Sequence, residues 1–236
     1  MLRQRNRRRS GLFIKLPATE VVDVVAGAGA DFGVVDLEHS QLAEADGLRL
    51  VRHAAAIGLP VVVRLPELDR GLVNQLLEAG AGGIQLSTVR SVAQVRELHA
   101  AMRYAPEGRR SVSLAHPGAR YGAASLEEYL AAARANPPEL VAQIETAETD
   151  DPLEDILGAG VDVAFVGATD LAVDLGLDAA RVRERIEGIA AAAEAAGVEL
   201  GGFGLDDPRV TYDVSGSDLA LLRAAVADHV REPARA

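Results

Sequence analysis

The chain has 236 residues, 49% hydrophobic and 25% charged, with a net charge of −11 and no cysteine. That balance belongs to a folded globular protein and excludes a disulfide frame, a thiolate nucleophile and a Cys-ligated zinc or iron–sulfur site. The acidic total, the 3% aromatic content and the lack of an apolar run near the ~20 residues that cross a bilayer argue against nucleic-acid and membrane partners and leave a cytoplasmic location as the simplest expectation.

Residues 1–10 carry Arg3, Arg5, Arg7, Arg8 and Arg9 and read as a solvated basic end. A twin-arginine export signal needs a following apolar stretch, which Lys15, Pro17, Glu20 and Asp23 interrupt. One domain is expected over 11–236, with β-branched runs alternating with Ala-rich helical stretches. Residues 12–16 read as a strand and 18–28 as a helix that buries Val21, Val22, Val24 and Val25. A strand at 33–37, a helix at 43–57, a strand at 60–64 and a helix at 69–78 follow, the last with Asp69 as its N-cap. A strand at 82–86 precedes a helix at 91–102, capped by Ser91, whose stripe is Val92, Val95, Leu98 and Met102. After an irregular stretch at 104–124 come a helix at 125–135 and strands at 139–144, 161–166 and 198–203, separated by a helical piece at 152–157 and a long helix at 179–196. A short run at 211–214 and a helix at 217–230 end the chain.

Strands that alternate with helices imply a parallel sheet, and strands that are apolar throughout imply burial on both faces. Eight such units make a (β/α)8 TIM barrel. A doubly wound open sheet would want a Gly-rich turn after the first strand, where this chain has PATEVV. The stretch between Phe203 and Thr211 has no room for a full helix, so the barrel is expected to be shortened between its seventh and eighth strands.

Catalytic groups of such a barrel collect at the C-terminal ends of its strands. Strand two ends in Asp36, Glu38 and His39, strand three in Arg64, strand five in Gln143 and Glu145, and strand six leads to Gly167 and Asp170. Glu145 and Asp170 stand on adjacent strands, so their carboxylates suit one hard divalent cation such as Mg²⁺ or Mn²⁺. His39 is a candidate general base, and Arg64 offers a fixed fork for a carboxylate or a developing oxyanion. Each of these residues has a plain alternative as a helix cap or a solvated charge; together they sit where a barrel has a single cavity.

The segments DFGVVDLEHS, VVVRLPELD, LLEAGAGGIQL, RYAPEGRR, VAQIET and VAFVGATDLAVDLG together resemble the HpcH/HpaI aldolase family, class II pyruvate-dependent aldolases of the phosphoenolpyruvate/pyruvate barrel superfamily. The resemblance runs from about residue 11 to 222. It implies a metal-dependent aldolase that makes or cleaves a 4-hydroxy-2-oxo acid, with Glu145 and Asp170 holding Mg²⁺, Mn²⁺ or Co²⁺. Arg64 falls on the arginine that binds the keto oxygen of pyruvate, His39 on the catalytic histidine and Gln143 on a glutamine near the substrate. The backbone amides of Thr169 and Asp170 match those that meet the pyruvate carboxylate. Glu78 stands where the family has an aspartate paired with the histidine, and Ser87–Thr88 where it commonly has a proline. The resemblance also implies a homo-oligomer, a dimer or a hexamer, with the last helix exchanged between subunits.

Three other activities and one inactive form are the alternatives. A CoA-ester lyase would need a basic site for the CoA phosphates, and an oxaloacetate decarboxylase would use the same enolate. A Schiff-base aldolase would have to use Lys15, the only lysine. A non-catalytic barrel relative would keep the fold and show no turnover. Of the remaining histidines, His53, His99 and His229 read as structural or exposed. His116, with Arg109, Arg110 and Arg120, lies in the irregular stretch, either folded over the site or on the surface.

Overall fold

The computed structural model describes residues 7–231; Arg3 and Arg5 lie outside them. The elements in chain order are β1 (Arg9–Ile14), α1 (Thr19–Gly27), β2 (Phe32–Asp36), α2 (Glu44–Ile57), β3 (Val61–Leu65), α3 (Arg70–Ala79), β4 (Gly83–Leu86), α4 (Val92–Met102), α5 (Leu126–Ala135), β5 (Glu139–Ile144), α6 (Leu153–Gly158), β6 (Val163–Val166), α7 (Ala168–Asp174), α8 (Ala179–Ala196), β7 (Glu199–Phe203), β8 (Val210–Ser217) and α9 (Asp218–Arg231). Each strand pairs in parallel with the next, and β8 closes on β1. This is the expected (β/α)8 barrel. A turn without a helix joins β7 to β8, as the spacing requires.

Local chemistry sets the helix starts. The Asp69 side chain accepts from Leu72 N at 2.9 Å, and Ser91 with Gln94 forms a capping box at α4. The stripe of α4 is buried at Val95, Leu98 and Met102. Helix α1 corrects the expectation of four buried valines: Val22 and Val25 are buried, whereas Val24 is 68% exposed. A helix lying on a barrel wall buries one stripe at three- and four-residue spacing, and adjacent positions cannot all share it. Helix α7 went unforeseen because GATDLAVD buries only Leu171, too little for a periodic signal.

Strand periodicity sorts the interior into layers. Phe13, Phe32, Val34, Val62, Val141, Val163, Phe165, Tyr212 and Val214 fill the middle of the barrel. The alternate residues Ile14, Val35, Val61, Val63, Ile84 and Leu140 pack outward against the helices. Gly11 makes room for an interior ring: a Cβ there would stand 2.5 Å from Phe32.

The layer below the aromatic middle is ionic and includes a correction. Arg9, expected in the solvated arm, belongs to β1 and is 3% exposed. Its guanidinium donates to Glu139 at 3.1 Å and to Glu199 at 3.2 Å, and lies 5.1 Å from the Tyr212 ring. The physical reason is that three strand starts converge there, and the two buried carboxylates need a cation. One guanidinium serves both glutamates, and burial pushes the Glu139 carboxyl up to about 7 against the pull of Arg9. A folded-state value above the ordinary 4.5 means that protonated Glu139 stabilises the fold; the contribution is complete below that value and is lost as the pH rises through 7. Between about pH 5 and about pH 8 the wild-type chain is expected to lose on the order of 3 kcal/mol from this group. Glu139→Gln should flatten that slope in denaturation measured at the two pH values. Parallel slopes in the two proteins would rule Glu139 out as the cause.

Candidate active site

Two residues beyond the apolar layer, the same alternation turns polar side chains inward at the C-terminal end. Asp36 and Arg64 are register partners on β2 and β3. They meet in a bidentate pair, Nε to Oδ1 at 2.8 Å and a terminal nitrogen to Oδ2 at 2.6 Å. Asp36 is fully buried and also accepts from the amides of Glu38 and His39. Burial opposes its ionisation, but the contacts with Arg64 and Lys15 outweigh that cost and hold the carboxyl well below the usual carboxylate range. Lys15, at the end of β1, reaches Asp36 Oδ2 at 2.7 Å.

Glu38 is a second hub. Its Oε2 accepts from Ser87 Oγ at 2.6 Å, stands 3.3 Å from Arg64 and 3.7 Å from His39 Nε2. His39 is the open member of the group, with its side chain 57% exposed.

On the opposite wall a line of amides ends at Glu145. Gln85 donates to Gln143 Oε1 at 2.5 Å, and Gln143 donates in turn to Glu145 Oε2. Glu145 Oε1 accepts from both the amide (2.8 Å) and the hydroxyl (2.7 Å) of Thr88. Thr88 holds a left-handed φ of 51°, a strained conformation for a β-branched residue that aims both of its donors at one carboxylate oxygen. A Cβ on Gly167 would lie 2.4 Å from Glu145 Oε2, so only glycine lets the carboxylate lie against the start of α7. Asp170 stands in the first turn of α7, exposed, and the first amides of that helix have no carbonyl within the helix to accept from them. Lys15, His39, Arg64, Gln143, Thr169 and Asp170 line one cavity of about 440 Å³.

The HpcH/HpaI aldolase/citrate lyase family model matches residues 9–209. The chain belongs to that family. Its members are carbon–carbon lyases. The chain is 36% identical to a hydroxypyruvate/pyruvate aldolase of Roseovarius nubinhibens, over 80% of this chain and 74% of that one. It is 33% identical to a hydroxypyruvate/pyruvate aldolase of Rhizorhabdus wittichii, over 90% and 89% of the two chains. The crystal structure of an HpcH/HpaI aldolase from Desulfitobacterium hafniense superposes with a TM-score of 0.86 at 28% identity, covering 97% of this chain and 95% of that one.

Within this HpcH/HpaI barrel the structure brings His39, Arg64, Gln143, Thr169 and Asp170 to one cavity, with Glu145 braced behind its wall. Glu78 is not among them in this chain. It stands in the last turn of α3, accepts from Asn74 at 3.2 Å, and lines a separate depression with Pro60, Gly82 and Glu139 at the strand starts. Helices of a barrel run antiparallel to its strands, so a residue in a last turn returns to the N-terminal end and cannot pair with His39 of the same chain. The segment at 104–124, for which both places were open, lies at the same lower end. His116 and Arg110 line that lower depression; Arg110 stacks on Tyr104 at 4.8 Å and donates to Asn74 at 3.0 Å. Neither covers the cavity. Glu38 stood among the strand-end candidates, but its contacts with Arg64 and Ser87 were not legible in the sequence, nor was the bond of Thr88 to Glu145, for which a hydroxyl pair directly after β4 was the available signal.

Proposed function

We propose that the protein is a divalent-metal-dependent aldolase that makes or cleaves a 4-hydroxy-2-oxo acid through the enolate of pyruvate or a similar 2-oxo acid. The observation that carries this reading is a guanidinium locked by a buried carboxylate, facing the same cavity as Asp170 and the first amides of α7. The relatives named as hydroxypyruvate/pyruvate aldolases support the same donor chemistry.

The residues present fit a hard cation. Glu145 is oriented through both oxygens, Gly167 leaves its approach to α7 clear, and Asp170 adds a second carboxylate from the neighbouring strand end. Two carboxylates would share such an ion with waters and substrate oxygens. When bound, Mg²⁺, Mn²⁺ or Co²⁺ would polarise the ketone and acidify the adjacent methyl group. The first amides of α7 at Thr169 and Asp170 receive the substrate carboxylate. Arg64 donates to the keto oxygen and holds the negative charge that develops there. His39, exposed at the rim beside Glu38, handles the methyl proton, and the aldehyde enters from the same open side. Retro-aldol cleavage reverses these steps.

The reading includes a cytoplasmic homo-oligomer. No helix among the described residues is long and apolar enough to cross a membrane. Helix α9 has no buried residue and exposes Leu219, Leu222, Val226 and Val230 on one stripe, which exchange of this last helix would bury against a second copy of the chain. A dimer or hexamer is expected by sedimentation, and a monomer would contradict that part of the reading.

Pyruvate in D₂O, followed by methyl NMR with each of the three metals and with EDTA, tests the donor half without any guess at the aldehyde. Metal-dependent deuterium uptake is the expected result. No exchange with any metal would overturn the reading.

A further inference from the structure

Arg64 is the guanidinium that faces the cavity, yet it touches two carboxylates, Asp36 at 2.6 Å and Glu38 at 3.3 Å. One positive charge against two negative ones would leave the cluster with a net charge of about −1, which repels an anionic substrate. Lys15 corrects the sum. Its ammonium lies 2.7 Å from Asp36 Oδ2, the same oxygen that Arg64 uses, and donates to the His39 carbonyl at 2.9 Å. The side chain is 17% exposed and lines the cavity, and Lys15 and Arg64 lie against the same Phe13 ring, at 5.4 and 4.5 Å.

The residue type is informative as well. Of the 24 lysines and arginines in the chain, this is the only lysine. Arg64 already holds one edge of Asp36 with its planar fork. A compact ammonium fits the space left between that carboxylate and a backbone carbonyl, where a second fork would compete for the same edge. The contacts also work against a Schiff-base role, because the Asp36 carboxylate favours an ammonium over the neutral amine that a nucleophile needs.

We propose that Lys15 is a positioning residue: its charge offsets Asp36 so that Arg64 stays electrostatically available to an anionic 2-oxo acid, and its bond to the His39 carbonyl holds the Glu38–His39 turn against the same cluster. This rests on the aldolase reading for the substrate, but the charge balance can be read separately. Oxalate, a planar dianion shaped like the enolate of pyruvate, is titrated by calorimetry at fixed Mn²⁺ into wild type, Lys15→Ala and Lys15→Met, alongside pyruvate methyl exchange. Both variants are expected to bind oxalate at least about tenfold more weakly and to exchange more slowly; they should unfold at a lower temperature but stay folded at the assay temperature, because Asp36 keeps its two bonds from Arg64. Propylammonium, which replaces the missing arm and charge, should restore a large part of both in Lys15→Ala, and propanol should restore neither. Unchanged oxalate affinity in Lys15→Met, or a loss in Lys15→Ala that propanol rescues as well as propylammonium, would overturn the proposal. A wild type that binds oxalate but exchanges no pyruvate would overturn the aldolase reading instead, and the oxalate affinities would still decide the role of Lys15.

Discussion

Replacing Arg64 with alanine is expected to slow pyruvate methyl exchange by roughly 10²–10³-fold, the loss typical of removing a preorganised donor to an oxyanion. The donor's value comes from how little it must reorganise. Its fork is fixed by two bonds to Asp36 and its face rests on Phe13, so the geometry that meets the enolate exists before substrate arrives. The same contacts predict a second effect. Asp36 is fully buried, and without Arg64 it keeps only Lys15 as a cationic partner. Breaking one side of a buried pair costs roughly 3–5 kcal/mol, because the remaining charge stays buried. The variant should therefore unfold at lower denaturant as well as turn over slowly. Arg64→Lys keeps a charge but loses the bidentate edge, so it should recover much of the stability and little of the rate. A near-normal exchange rate in folded Arg64→Ala would remove Arg64 from the mechanism.

The upper end of the barrel was legible because strands write their faces into the sequence every second residue. Val34 then Asp36, Val62 then Arg64, and Val141 then Gln143 and Glu145 are each an apolar run continued by a polar residue on the same face. The lower end was not legible, since nothing local marks Arg9 as the partner of Glu139 and Glu199, 130 and 190 residues away. The distance of Glu78 from the cavity of its own chain was hidden for the opposite reason: similarity of the local sequence says which residue stands there and not which end of the barrel its helix turn reaches. The left-handed φ of Thr88 is equally silent in sequence, because the residue that forces it is Glu145 on the next strand. Lys15 stood in plain view as the only lysine, but its role needed the contact with Asp36, which is set by the pairing of β1 with β2.

Removing either metal-site carboxylate should abolish metal-dependent exchange, and the two variants should differ in everything else. Asp170 is exposed in the first turn of a short helix, so Asp170→Asn gives up a charge at a helix N-terminus, worth about 0.3–1 kcal/mol, and leaves the packing intact. Glu145 is buried and already committed. In Glu145→Gln the side-chain oxygen can still accept from Thr88, but the new amide then meets the Gln143 amide that now donates to Oε2. Two donors cannot face each other in a buried site, so Gln143 must turn over and Gln85 with it: the Gln85 oxygen, now without a partner, would accept from the Gln143 amide, and the buried Gln85 amide nitrogen would lose its acceptor. Glu145→Gln should therefore lose both metal affinity and stability, whereas Asp170→Asn should lose metal affinity at nearly wild-type stability. Mn²⁺ binding followed by electron paramagnetic resonance reads affinity apart from turnover, and denaturant unfolding reads the rest. Exchange that survives in both variants would sink the assignment of these two carboxylates to the cation, of which Asp170 lines the cavity and Glu145 stands behind its wall, held by Gln143 and Thr88.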